Sequence, residues 1–87
     1  MSRVELARRA RKEIVELDRP ISDAGVEALG LLERDPGAGR LLRGELDGLR
    51  SLRIGSYRII YQVDDGQRLV RVLAVRHRSV AHTTDPR

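Results

Sequence analysis

Arginine side chains stand at the ends of, and between, the apolar residues of the segment LRIGSYRIIYQVDDGQRLVRVLAVRHRSVAH, residues 52–82. A guanidinium group is planar and charged, and it donates paired hydrogen bonds to phosphate or carboxylate. The side chains that we expect to share one face are Arg53, Arg58, Arg76 and Arg78. Such a cluster repels itself unless an anion joins it, so the candidate ligands are an RNA or DNA phosphate and the carboxylates of an acidic protein segment. The alternative is that these arginines are ordinary solvated positions of a sheet, some of them paired with Asp47, Asp64 or Asp65.

Two turn signals decide which side chains lie together, because a shift of one residue sends the side chains of a strand to opposite faces. The first signal, Gly55-Ser56, predicts a two-residue turn that places Arg53 opposite Arg58. The second signal, Asp64-Asp65-Gly66, predicts a three-residue loop with a left-handed Gly66. Arg58 then pairs with Val72.

We prefer the three-residue loop because it gathers aliphatic side chains under a helical layer. The residues predicted to face the helices are Ile59, Tyr61, Val63, Leu69, Leu73 and Val75. The opposite face then holds Arg58 together with Val70, Val72, Arg76 and Arg78. A two-residue turn at Asp65-Gly66 would instead place Leu73 and His77 beside Arg58.

The first half of the chain has the period of helices. A short strand is predicted at residues 4–6, and two apolar stripes at spacings of three and four follow it. The stripes are Ala7, Ala10, Ile14 and Leu17, then Ile21, Gly25, Ala28 and Leu32. Pro20 suits the first turn of the second helix, and Pro36 ends that helix. The predicted fold is therefore α+β, in the order β-α-α-β-β-β, with an antiparallel sheet and a two-helix hairpin packed on one face.

The composition excludes several classes of protein. With 87 residues the chain suits one domain, residues 1–87, in which 83–87 form a flexible tail. The only aromatic residues are Tyr57 and Tyr61, which we expect in or beside the core, so passive binding of single strands by base stacking is disfavoured. There is no cysteine and no apolar run long enough for a membrane span. We expect a cytoplasmic protein that needs no metal or other cofactor.

The segments LLRGELDGLRSLRIGSYRIIYQVDD and VRVLAVRHRSVAH resemble the RelE/ParE toxin superfamily of type II toxin–antitoxin modules, and within it the RelE branch. The similarity is carried by a Tyr-Arg hairpin and by a His-Arg pair in the last strand. Leu49 and Ser51 stand where some members of the family have lysines. Arg50 and Arg53 flank these two positions and would supply charge there.

The resemblance implies a ribosome-dependent endoribonuclease that cuts mRNA by attack of a ribose 2′-hydroxyl on the adjacent phosphate. Such a reaction needs a cation on the developing phosphorane, an acid and a base. The implied catalytic residues are Arg58, Arg78 and His82, the last of which stands where related toxins have tyrosine. The implied phosphate-binding residues are Arg50, Arg53, Arg76 and His77. Histidine exchanges protons near neutral pH, so His82 would retain acid or base chemistry, unless it is a solvated residue of a loose tail.

The implied partners are mRNA, the ribosome and an antitoxin that lays an acidic amphipathic segment over the arginines in a hetero-oligomer. Two other hypotheses remain open from the sequence. One is a ParE-like inhibitor of DNA gyrase without activity on RNA, and the other is a catalytically decayed member that only binds its antitoxin.

Overall fold

The computed structural model describes residues 1–43 and 48–77, and within these ranges the chain forms five strands and two helices. The strands are β1 (Arg3–Leu6), β2 (Arg40–Leu41), β3 (Arg50–Ile54), β4 (Tyr57–Asp64) and β5 (Leu69–His77). The helices are α1 (Arg8–Val15) and α2 (Ile21–Arg34). Neither helix is both long and apolar enough to cross a membrane, and no other helix lies in the described part of the chain.

The predicted helical stripes are confirmed. Ala10 and Ile14 of α1 are buried, and so are Gly25, Ala28 and Leu32 of α2. They pack on one face of the sheet against buried residues of the last three strands, which are Ile54, Ile59, Tyr61, Val70, Val72 and Val75. Helix α2 ends at Arg34, shortly before Pro36, as the proline predicts.

The sheet has the strand order β1-β5-β4-β3-β2. The α+β class and the two-helix layer are confirmed, and two details differ from the prediction. Strand β1 pairs with β5 in parallel, so the sheet is mixed rather than wholly antiparallel. Strand β2 pairs with β3 at the edge of the sheet and was not predicted. It has only two residues, which is too short to show the alternation of apolar and polar residues that identifies a strand.

The connection between β4 and β5 differs from the predicted three-residue loop. Asp64 pairs with Leu69, which leaves four residues in the loop. The left-handed residue is Arg68, with φ 50°, rather than Gly66. The amide of Gln67 donates to a carboxylate oxygen of Asp64 at 3.2 Å, so this side chain stabilises the turn.

The register of β5 changes at a β-bulge. Tyr61 pairs with Val72, but Ile60 pairs with Ala74, so Leu73 is an extra residue on β5. Before the bulge, Val70 and Val72 lie in the helix-covered core, whereas the prediction placed them on the opposite face. Leu69 and Leu73, predicted under the helices, lie on the opposite face: Leu69 pairs there with Asp64, and Leu73 packs against a second small cluster.

After the bulge the faces agree with the prediction, although the pairing partners do not. Val75 lies in the core, and Arg76 lies on the opposite face. Arg58 pairs with Arg76 rather than with Val72. Because of the bulge, even-numbered residues of β5 face the helices before Leu73, and odd-numbered residues face them after it.

Candidate functional site

Three arginines lie side by side on the sheet face that the helices leave uncovered, which we call the open face. Arg53 of β3 pairs with Arg58 of β4, and Arg58 pairs with Arg76 of β5. Directly paired residues of antiparallel strands project from the same face, about 5 Å apart. We call Arg53, Arg58 and Arg76 the arginine row. The turn at Gly55-Ser56, with Gly55 at φ 63°, fixes the pairing of the first two members as predicted.

Arg58 occupies the middle of the row and is half-buried. Its Nε atom is buried and has no hydrogen-bond partner among the described residues. A desolvated donor without an acceptor raises the free energy of the protein by about 1–3 kcal/mol. An anion bound to the guanidinium group of Arg58 would offset part of this loss.

Arg76 has an internal counter-ion, Glu13 of α1. One carboxylate oxygen of Glu13 accepts a hydrogen bond from Arg76 Nη1, and the other accepts from the backbone amide of Val75 at 3.0 Å. The two side chains are only 18% and 23% exposed. Strand β1 pairs with β5 no further than Val72, so among the described residues it is Glu13 that satisfies the edge of β5 at this point. Arg53 and Arg58 form no ion pair with any of the described residues.

The sequence did not identify Glu13, because it lies outside the apolar stripe of α1 among other charged residues. Its position in the helical period gives no sign of the contact with β5, which spans 62 residues of sequence. The need for an acceptor becomes visible only in the folded sheet. There β1 ends opposite Val72, so β1 provides no partner for the backbone amide of Val75.

Two of the predicted phosphate-binding residues lie away from the arginine row. Arg50 lies three residues before Arg53 on β3, so its side chain projects from the opposite face of the sheet. It donates a hydrogen bond from Nη1 to the backbone oxygen of Gly39 at 3.1 Å. His77 pairs with Tyr57 on the helix-covered side of the sheet, where the two rings make an edge-to-face contact with centroids 5.4 Å apart. The structure therefore brings Arg53, Arg58 and Arg76 together, but not Arg50 or His77.

Arg78 and His82, two of the three predicted catalytic residues, lie outside the described residues, as does the predicted tail at 83–87. Asp47 lies outside them as well. Asp64 and Asp65 form no ion pair with the arginine row, and within residues 1–43 and 48–77 the ion-paired member of the row is Arg76.

Arg40 also lies on the open face, and the sequence analysis did not place it there. Arg40 of the edge strand β2 pairs with Ser51 of β3, and Ser51 lies two residues from Arg53 on the same face. The side chain of Arg40 is exposed and makes no hydrogen bond or ion pair with the described residues. Since β2 itself was not predicted, no signal in the sequence assigned Arg40 to this face.

An apolar cluster lies beside the row on the open face. It consists of Leu42, Leu49 and Ile60, which are buried, and the half-buried Leu73. Ser51 lies in the same region, only 5% exposed, and its hydroxyl has no hydrogen-bond partner among the described residues. Since Leu42, Leu49 and Ile60 are already shielded from solvent, they form a second small core beside the arginine row, and Leu73 is the member of this cluster that is still partly exposed.

Tyr61 supports the arrangement from the core, as the sequence predicted. Its hydroxyl donates to the backbone oxygen of Pro36 at 2.9 Å and accepts from the amide of Gly39 at 2.8 Å. These bonds fix the loop that leads from α2 into β2 and so fix the position of Arg40. Burial is the main cause that raises the pKa of Tyr61, and the negative charge of Asp35 raises it further; together they outweigh the hydrogen bond from Gly39 and the charge of Arg50, both of which lower that pKa.

Comparison with known proteins places the chain in a family. Residues 4–81 match the family described as the ParE toxin of the type II toxin-antitoxin system, parDE. Toxin RelE of Mycobacterium tuberculosis is 33% identical over 85 residues, which cover 95% of this chain and 88% of that protein. Toxin RelG of the same organism is 43% identical over 72 residues, covering 80% of this chain and 83% of that protein.

The same fold occurs in a solved toxin–antitoxin complex. The RelBE2 toxin–antitoxin complex of Mycobacterium tuberculosis contains a chain that superposes with a TM-score of 0.77 at 42% identity, over 86% of this chain and 95% of that one. The RelE/ParE resemblance of the Tyr-Arg hairpin is thereby confirmed. The chain belongs to the RelE/ParE superfamily and is a toxin of the RelE family of type II toxin–antitoxin systems.

Proposed function

We propose that the chain is a ribosome-dependent endoribonuclease that cuts mRNA in the cytoplasm and thereby inhibits translation. The reaction is attack of a ribose 2′-hydroxyl on the adjacent phosphorus, with departure of the 5′-oxygen and formation of a cyclic phosphate. The observation that supports the proposal is the position of Arg58. Its guanidinium lies between two other arginines on an uncovered face and has no acceptor for Nε among the described residues.

In this mechanism Arg58 stabilises the negative charge that accumulates on the phosphorane, where a preorganised cation has its largest effect. Arg53 is exposed beside it and orients the substrate through a second phosphate contact. Arg76 is held by Glu13, so it presents a fixed hydrogen-bonding surface rather than a free charge. Arg78 is proposed as a further phosphate ligand and His82 as the acid or base, both outside the described residues.

The proposed partner is an antitoxin, because the RelBE2 chain to which this one is similar occurs in a toxin–antitoxin complex. The chemistry that would recognise the open face is an acidic segment with an apolar stripe. Its carboxylates would pair with Arg53 and Arg58, and an apolar residue of the segment would contact the half-buried Leu73. Binding there would block access of RNA to the arginine row.

The test is cell-free translation with purified protein, followed by mapping of the 5′ ends of the mRNA fragments. Arg58→Ala should lower the rate of cutting at saturating toxin by about 100-fold, the effect of removing one electrostatic stabiliser of a transition state. Arg11→Ala is the matched control, because it removes the same charge from an exposed position on α1. It should cut at the wild-type rate.

Three results would contradict the proposal. Uncut mRNA together with trapped gyrase–DNA cleavage complexes would assign the chain to gyrase inhibition. A protein that binds its antitoxin but neither cuts mRNA nor traps gyrase on DNA would be a decayed enzyme. Equal cutting by wild type and Arg58→Ala would remove the arginine row from the mechanism.

A further inference from the structure

Position 51 leaves a gap in the positive charge of the open face. Ser51 is short, buried and uncharged, and its neighbour two residues earlier on the same face, Leu49, is completely buried. The next positive charge toward the edge of the sheet belongs to Arg40, which pairs directly with Ser51. The positive surface therefore continues from Arg53 onto the edge strand β2, rather than along β3.

The distances suit a ligand that spans both arginines. Arg40 and Arg53 are diagonal neighbours on adjacent strands, a relation that separates their Cα atoms by about 7–8 Å. Two side chains of this length on one face reach the same phosphate or two successive phosphates. Arg40 is exposed, and none of the described residues neutralises it. Its backbone is held by the pairing of β2 and by the Tyr61 contact to Gly39, so its starting point is fixed.

We propose that Arg40 binds an RNA phosphate next to the one held by Arg58, and that it supplies from β2 the positive charge that Leu49 and Ser51 do not provide. This inference rests on the proposed function and extends it to the path of the substrate. The RNA strand crosses the open face from Arg58 past Arg53 to Arg40. Arg40 is a positioning residue, because it acts on substrate binding and lies two strands from Arg58.

The experiment measures binding of a short single-stranded 2′-O-methyl RNA, which cannot be cut because it lacks the attacking hydroxyl. Fluorescence anisotropy gives the dissociation constant at several salt concentrations between about 50 and 200 mM. Arg40→Ala should weaken binding about fivefold and reduce the slope of log K against log salt by about 0.7, the value for one lost contact to a single strand. Arg40→Lys should keep the wild-type slope, because it keeps the charge.

Arg11→Ala is the control for net charge. It changes the charge as much as Arg40→Ala does, but from the exposed surface of α1, and it should leave both the affinity and the slope unchanged. Equal effects of Arg40→Ala and Arg11→Ala would overturn the inference, since only the overall charge would matter. Absence of RNA binding by the wild type, or an unchanged slope for Arg40→Ala, would overturn it as well.

The same variants separate this inference from the proposed function. In the translation assay, Arg40→Ala should raise the toxin concentration that gives half-maximal cutting about fivefold and leave the rate at saturation unchanged. Arg58→Ala should lower the rate at saturation. A wild type that binds the oligonucleotide through Arg40 but cuts no mRNA would leave Arg40 as an RNA contact and refute the nuclease.

Discussion

Replacing Glu13 by alanine should destabilise the protein and change how it responds to phosphate. The carboxylate accepts from Val75 N at 3.0 Å and from Arg76 Nη1, and both side chains of the ion pair are mostly shielded from water. A hydrogen bond to a charged group contributes about 1.5–3 kcal/mol. Water can reach the vacated space in part, so we expect Glu13→Ala to lower the free energy of unfolding by about 2–3 kcal/mol. Glu13→Gln keeps an acceptor and should lower it by about 1 kcal/mol.

The assay is equilibrium unfolding in urea, which yields the free energy of unfolding for each variant. A double-mutant cycle with Arg76→Ala isolates the ion pair, and we expect a coupling energy of about 1–2 kcal/mol. Glu16→Ala is the matched control on the same helix, because Glu16 is exposed and forms no ion pair with the described residues. It should change the free energy of unfolding by less than about 0.5 kcal/mol.

Phosphate connects this prediction to the site. Without Glu13, no carboxylate among the described residues compensates the three guanidinium groups of the arginine row. An anion that binds the folded state stabilises it, and the gain grows as the affinity rises. Inorganic phosphate should therefore raise the urea midpoint of Glu13→Ala more than that of the wild type. A loss below about 0.5 kcal/mol for Glu13→Ala, or an equal response of both proteins to phosphate, would refute the role of Glu13 as internal counter-ion.

Three further predictions concern the Tyr61 contact. Tyr61→Phe leaves the buried amide of Gly39 without its acceptor and should lower the free energy of unfolding by about 1–3 kcal/mol in urea; a loss near zero would contradict the contact. Because burial raises the pKa of Tyr61, the unfolded chain loses this proton first as the pH rises past about 10. Wild-type stability should therefore fall above that pH more steeply than that of Tyr61→Phe, and parallel curves would exclude the linkage. Gly39→Ala places a Cβ 2.5 Å from the Tyr61 hydroxyl and should lower the thermal midpoint, whereas Gly37→Ala, with its nearest contact at 3.6 Å, is the control.

The sequence predicted the elements whose signals are local. The stripes of α1 and α2 follow from spacings of three and four, and their buried residues are those of the stripes. The hairpin at Gly55-Ser56 follows from a glycine that adopts φ 63°, and it gave the pairing of Arg53 with Arg58. A local turn was thus enough to predict that Arg53 and Arg58 lie side by side.

The remaining features depend on contacts between distant segments, which no local pattern encodes. The ion pair of Glu13 with Arg76 and the parallel pairing of β1 with β5 both join the first 13 residues to the last strand. The assignment of Arg40 to the open face depends on a two-residue strand, and the preceding residue, Gly39, is held by a tyrosine 22 residues away. Side chains that join the site through such contacts carry no periodic signal of their own.

The β-bulge at Leu73 explains why Arg76 lies on the predicted face of the sheet although the predicted length of the loop between β4 and β5 was wrong. The loop is one residue longer than predicted, which reverses the faces of β5 and puts Val70 and Val72 into the core. The extra residue in the bulge reverses them again, so that Val75 enters the core while Arg76 reaches the open face. An uninterrupted β5 that buries Val70 and Val72 would bury Arg76 as well and expose Val75. The bulge therefore allows one strand to fill the core with valines along its first half and still complete the arginine row at its end.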